Sequence, residues 1–260
     1  MKRIIIKLNN ITLSYDKNKD IINNLSYEFN GPGLYIIKGR NGSGKSTLLK
    51  AMLNQIKLNG GEISATSIPY GIIEDACGYS NLSVKDQLDY LAKNEIDKEL
   101  YDSLLIDEHK NKTFNKISLG TKQKLMVLNV FSSDNDILLF DEPTIALDQE
   151  SLDIFIEKVN KEKENKLIII ATHDYYFINK LNPNEILLLN NKLEKVESNN
   201  KILVNVTVRN NKFNEYLENN NILYSINNND YTIEVTDEEL DGILKLRKEY
   251  EILNISFVIW

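Results

Sequence analysis

The sequence predicts an α/β fold, and three observations carry that expectation. An apolar strand, Leu34 to Ile37, runs into the glycine-rich turn GRNGSGKS and then into a helical segment from Thr47 to Leu53. Two later runs, Asp136 to Phe140 and Leu167 to Ala171, are short and continuously apolar, as parallel strands covered on both faces are. After the polar run ESNNK, Glu197 to Lys201, the pattern restarts with strands and helices of its own.

Ahead of the glycine-rich turn, Arg3 to Leu8, Ile11 to Tyr15 and Leu25 to Phe29 read as short strands separated by polar Asp, Asn and Lys stretches, an antiparallel patch. Between Val84 and Phe131, Leu88, Leu91, Leu100 and Leu104 recur at helical spacing, so a mainly helical subdomain is expected over about residues 75–131. The first domain is expected to span 1–197, and a small α+β domain 198–260. In that second domain Ile202 to Val208 alternates as a strand, Phe213 to Leu217 is helical, and Ile222 to Ile226 and Tyr231 to Val235 flank a turn. Thr236 and Glu239 make a capping box before a helix whose apolar face is Leu240, Ile243 and Leu244, and Ile255 to Ile259 is the closing strand. No internal repeat is found, and asparagine is abundant throughout.

At 260 residues with 42% hydrophobic residues, the chain can bury a sizeable core. Its 38 acidic against 31 basic residues leave a net charge of -7, which repels a polyphosphate backbone, so no nucleic-acid partner is expected. The single cysteine, Cys77, excludes an internal disulfide and a multi-cysteine zinc site, and suits a reducing cytosol. The start, MKRIIIKLNN, has an apolar run of three, too short for a leader, and no segment is apolar for the length that spans a bilayer. A membrane role would therefore need docking onto another subunit.

Gly39 to Ser46 satisfies G-x-x-x-x-G-K-[ST] between a strand and a helix, the context in which this pattern cradles phosphate. Glycines let backbone N–H groups converge on phosphate oxygens, and the helix N-terminus adds positive partial charge. Gly39, Asn41, Gly42, Ser43, Gly44, Lys45, Ser46 and Thr47 are the binding candidates: Lys45 charges the outer phosphates and Ser46 can ligate Mg2+. The loop alone leaves the nucleotide and the reaction open.

DILLFDE, Asp136 to Glu142, ends an apolar strand in two carboxylates, where ligands bind at the C-terminal edge of open α/β sheets. Asp141 can hold Mg2+ through water, and Glu142 is the candidate base for the attacking water.

The ordered set GRNGSGKST, ISLGTKQK, ILLFDEP, ALD and ATHD resembles an ABC transporter nucleotide-binding domain from Arg3 to Val196, about three quarters of the chain. That resemblance implies ATP and Mg2+ sandwiched between two such domains, in a homodimer or with a paired nucleotide-binding domain. Ser118 and Gly120 of ISLGTKQK would face the γ-phosphate held by the other subunit, Asp148 matches the D-loop aspartate at the dimer interface, and His173 matches the switch histidine. Tyr15 matches the aromatic that stacks on adenine. A separate membrane-spanning permease is implied, with the chain peripheral at the cytoplasmic membrane face. His109 matches nothing and reads as a surface residue.

Two departures resemble one branch. Glu74 stands where the family's Q-loop glutamine is normal, and Leu119 replaces a small residue of the signature, as in the bacitracin and lantibiotic self-protection exporters. Glu74 is thereby a further metal-ligand candidate. The expected function is hydrolysis of ATP to drive export of a peptide, antibiotic or similar amphiphile. The alternative is a non-transport ABC ATPase acting on a cytosolic macromolecule, but no second nucleotide module, zinc insertion or coiled-coil arm supports it. A nucleotide kinase leaves ISLGTKQK and ATHD unexplained.

Overall fold

The computed structural model describes residues 3–16, 19–39, 42–73, 81–91, 96–172, 174–181, 183–189, 192–195, 202–209, 212–227 and 229–257. They fall into two compact units, Met1–Val196 and Glu197–Trp260.

The first unit opens with β1 (Ile4–Asp16) and β2 (Lys19–Gly31), antiparallel and twice the expected length. The two strands expected at Arg3 to Leu8 and Ile11 to Tyr15 are one. Their burial explains why: Ile4, Ile6 and Leu8 alternate inward, then the phase slips and Ile11 and Leu13 point inward. An irregularity between Leu8 and Ile11, with Asn10 at φ 47, inserts the residue that resets the alternation. Asn24, at φ 53, does the same between buried Ile22 and Leu25 of β2. At Asn10 and Asn24 the asparagine thus sits where a side chain must tolerate left-handed backbone.

The chain continues through β3 (Gly33–Lys38), α1 (Lys45–Met52), β4 (Gly60–Ala65) and β5 (Pro69–Ile72). Next come α2 (Val84–Leu91), α3 (Lys98–Ser103), two single 3-10 turns at Ile106–His109 and Phe114–Lys116, and α4 (Leu119–Phe131). Then come β6 (Ile137–Asp141), α5 (Gln149–Glu162), β7 (Leu167–Ala171), α6 (Tyr175–Leu181), β8 (Asn184–Leu189) and β9 (Lys192–Lys195). Strands β4, β5, β8 and β9 are additions to the elements expected from the sequence. β4 joins β1 and β2 in a three-stranded sheet.

The six-stranded sheet has the order β5-β6-β7-β3-β8-β9, parallel except for β9. Residues 137–140 and all of β7 are buried. Alternate residues feed two cores: Leu138, Phe140, Ile168 and Ile170 pack with the α4–α6 side, while Ile137, Leu139, Leu167 and Ile169 pack with α1 and the β1–β2 pair. On the helical side Phe131, Phe140, Phe155 and Phe177 form a chain of ring contacts 5.2 to 5.9 Å apart. Lys158 of α5 bonds Asp97, the N-cap of α3, at 2.7 Å, tying the helical segment to the sheet-covering helices.

The second unit runs β10 (Ile202–Val208), α7 (Phe213–Asn219), β11 (Leu223–Asn227), β12 (Asp230–Val235), α8 (Asp237–Lys245) and β13 (Ile252–Phe257), with an antiparallel sheet ordered β11-β12-β10-β13. Val204, Val206, Tyr231 and Ile233 form a core with Phe213, Leu217, Leu240 and Ile243. The Thr236–Glu239 capping box is present. Leu244 is exposed, since the packed face of α8 is narrower than its apolar pattern, and the last strand begins at Ile252, three residues before the expected Ile255, while its expected end at Ile259 lies outside the described residues. Among the described residues no helix is long and apolar enough to cross a membrane.

Candidate nucleotide site

The register of the central strands assembles the site. Ile37 of β3 and Asp141 of β6 both pair with Ala171 of β7. Three parallel strands therefore end level, and the residues beyond their ends emerge together at the C-terminal edge: the glycine-rich loop after β3, Glu142 after β6 and Thr172 after β7.

Gly39, Gly42, Ser43 and Gly44 form the turn into α1. Gly44, the N-cap, has φ 99, and a Cβ there would lie 2.9 Å from Ile21 Cγ2, so only glycine fits. A glycine N-cap makes no side-chain cap at the start of α1, and the helix N-terminus there carries the positive partial charge that suits an anion. Ser43 Oγ is buried with no hydrogen-bond partner among the described residues, a second feature that fits a loop closing on phosphate.

Lys45 is buried, and its Nζ donates to the Gly39 carbonyl at 2.8 Å. Burial pushes its pKa below the usual value, opposed by the Glu142 and Asp141 carboxylates close by. The lysine charge and both carboxylates thus share one locality. Ser46 is half-buried and Thr47 buried in the first turn of α1. A serine hydroxyl and a carboxylate, both oxygen donors, suit Mg2+, which takes few protein ligands beside water and phosphate.

Glu142 is fixed at both ends. Its backbone sits at φ 45, a left-handed conformation that costs a non-glycine residue energy, and its N–H donates to the Ala171 carbonyl at 2.8 Å. Its Oε2 accepts from Thr172 Oγ1 at 2.9 Å. The pattern ATHD points to His173 and gives Thr172 no role. Yet Thr172 is the first polar residue after an apolar strand, in register beside the acidic strand end, and that signal could have found it.

Ser118 caps α4, accepting from the Thr121 N–H at 3.1 Å. Leu119 is exposed. At Gly120 a Cβ would come within 2.5 Å of the Ala146 carbonyl, so glycine lets the helix lie against the segment after β6. Gln123, buried, donates to the Pro143 carbonyl at 2.9 Å, and Lys124 pairs with Asp148 at 3.0 Å. The sequence gives no sign of these contacts, since the lysines of this stretch read as solvated. Asp148 caps α5, accepting from the Ser151 N–H at 2.9 Å and the Ser151 hydroxyl at 2.7 Å. The Ser151 bonds, then Lys124, hold its pKa down at about 2.

Tyr15 lies in β1, with its side chain outside the described residues, as are Asn41, Glu74 and His173 altogether. His109 is half-buried beside Lys112, whose Nζ lies 3.0 Å from Nδ1.

Residues 22–145 match a protein-family profile described as ABC transporter. The chain is 28% identical over 199 residues to the zinc import ATP-binding protein ZnuC of Rickettsia bellii (73% of this chain, 84% of the relative). It is 28% identical over 223 residues to the cytochrome c biogenesis ATP-binding export protein CcmA of Reclinomonas americana (76% and 99%). With the energy-coupling factor transporter ATP-binding protein EcfA1 of Mycoplasmoides gallisepticum it shares 30% identity over 203 residues (66% and 71%). A solved structure of an ATP-binding subunit of an ABC transporter superposes with a TM-score of 0.68 at 18% identity, covering 75% of this chain and 90% of that one.

Proposed function

The chain belongs to the ABC transporter ATP-binding proteins, and from that premise we propose that it energises a separate membrane-spanning permease. Membership makes it an ATPase, turning ATP and water into ADP and phosphate in work coupled to transport. The observation that carries the site is Glu142, held beside buried Lys45 at the edge where the glycine-rich loop emerges.

In this reading the loop from Gly39 to Thr47 binds the ATP phosphates, with Lys45 on the outer ones, and Tyr15 stacks on adenine. Ser46 and Asp141, with Glu74, hold Mg2+, which neutralises phosphate charge. Glu142 draws the proton from the attacking water and His173 contacts the γ-phosphate. Ser118, Gly120 and Asp148 serve a paired domain, so the working unit is a homodimer or a pair of such domains. The named relatives are ATP-binding proteins of an importer, an exporter and an energy-coupling factor transporter, so they favour no direction. Export of a peptide, antibiotic or similar amphiphile is supported by Glu74 and Leu119 alone. The chain would then sit peripherally on the cytoplasmic membrane face.

The test isolates the chain from detergent-solubilised membranes and returns the complex to vesicles. A membrane-spanning partner should co-purify, and ATP added on the chain's side should drive peptide away from that side. Glu142→Gln should bind ATP yet lose both turnover and transport. Co-purification with ribosomes or nucleic acid at physiological salt would sink the transport reading, and near-wild-type hydrolysis by Glu142→Gln would remove it as the base.

A further inference from the structure

We propose that Thr172 is a positioning residue for ATP hydrolysis, setting the carboxylate of Glu142 through a hydroxyl whose direction is fixed; this rests on the reading of Glu142 as the base. Thr172 is fully buried just beyond the C-terminal end of β7. Its Oγ1 accepts from the Asp174 N–H at 3.1 Å and stands 2.9 Å from Glu142 Oε2. A hydroxyl has one proton and two acceptor sites, an amide N–H only donates, and an ionised carboxylate only accepts. The relay therefore has a single polarity, from Asp174 N–H to Thr172 oxygen and from Thr172 O–H to Glu142. With the backbone N–H of Glu142 bonded to the Ala171 carbonyl, β7 and the residue after it grip the glutamate at both ends. That grip accounts for how the left-handed backbone at Glu142 persists: the surrounding bonds over-determine it.

A base that swings out of line is costly, because misplacement by about 1 Å can lower a rate on the order of 100-fold. The threonine does not touch nucleotide in this account, so its loss should be felt in turnover and not in binding.

The experiment measures steady-state hydrolysis and equilibrium binding of a fluorescent ATP analogue on the full chain. Thr172→Val, which keeps the shape and removes the hydroxyl, should lower kcat roughly 10- to 100-fold with KM and analogue affinity unchanged. Thr172→Ser should recover most of the lost kcat. Should the valine variant not fold, Thr172→Ala carries the same comparison with serine. Wild-type kcat in the hydroxyl-free variant would overturn the proposal. So would a serine variant as impaired as the valine, or a loss confined to analogue binding. Glu142→Gln is run alongside: if it is inactive while Thr172→Val is normal, only the positioning role falls, whereas an active Glu142→Gln removes the base reading itself.

Discussion

Asp148 shows how one carboxylate is used twice within its own chain. Its bonds to Ser151 cap α5, and its other oxygen meets Lys124 of α4. The carboxylate is 60% exposed, so the ion pair is screened and worth at most about 1 kcal/mol, and the cap contributes more. Asp148→Ala should cost ~1 kcal/mol at neutral pH, whereas Asp148→Asn should keep most of the cap. The depressed pKa sets the sign of the pH dependence. The charge contributes stability above the usual carboxylate value near 3.8 and loses it as pH falls toward the folded value of about 2. Urea unfolding from pH 7 downward should therefore show the wild type's small advantage over Asp148→Asn shrinking below about pH 4. A gap that stays constant with pH would contradict that account.

Helix α4 and the segment from Pro143 to Asp148 behave as one element, joined by the close approach at Gly120, by Gln123 and by Lys124. Burial ranks these joints. Gln123→Leu leaves the Pro143 carbonyl buried without its donor and should cost roughly 1–3 kcal/mol, while Lys124→Met should cost under about 1 kcal/mol. Urea midpoints with unchanged slopes would check the ordering, and equal losses would refute it. None of these joints is legible in the sequence, because Gln123 and Lys124 gain their partners only when two distant segments meet. The glycine-rich loop is legible because its strand, turn and helix are contiguous. Strand β4 is hidden for the opposite reason: none of its residues is buried, and it is a strand through pairing with β1. The polar pairs Asn9–Asn10 and Asn23–Asn24 read as breaks between strands, whereas they are irregularities within long ones.

At the scale of the whole chain, the buried residues that are described fall into separate cores. Among the described residues, the two cores of the first unit draw on residues up to Leu193 and the core of the second on residues from Val204 onward. Each unit has its own sheets, and the strands that place the nucleotide site all belong to the first. Domains with separate cores unfold as separate cooperative transitions unless a large interface couples them. A ligand that binds one folded unit stabilises that unit alone, by about 2.7 kcal/mol at a hundredfold excess over Kd. Calorimetry of the full chain should therefore resolve two transitions. A non-hydrolysable ATP analogue with Mg2+ should raise the larger one and leave the smaller in place. The smaller should also be the less stable against denaturant, since a unit of about 60 residues buries a lower fraction of its surface than one of about 200. If both transitions move together with nucleotide, the second unit is thermodynamically part of the ATPase, and a regulatory coupling would have to be sought in it. If only the first moves, the C-terminal unit's contribution lies elsewhere than in holding ATP.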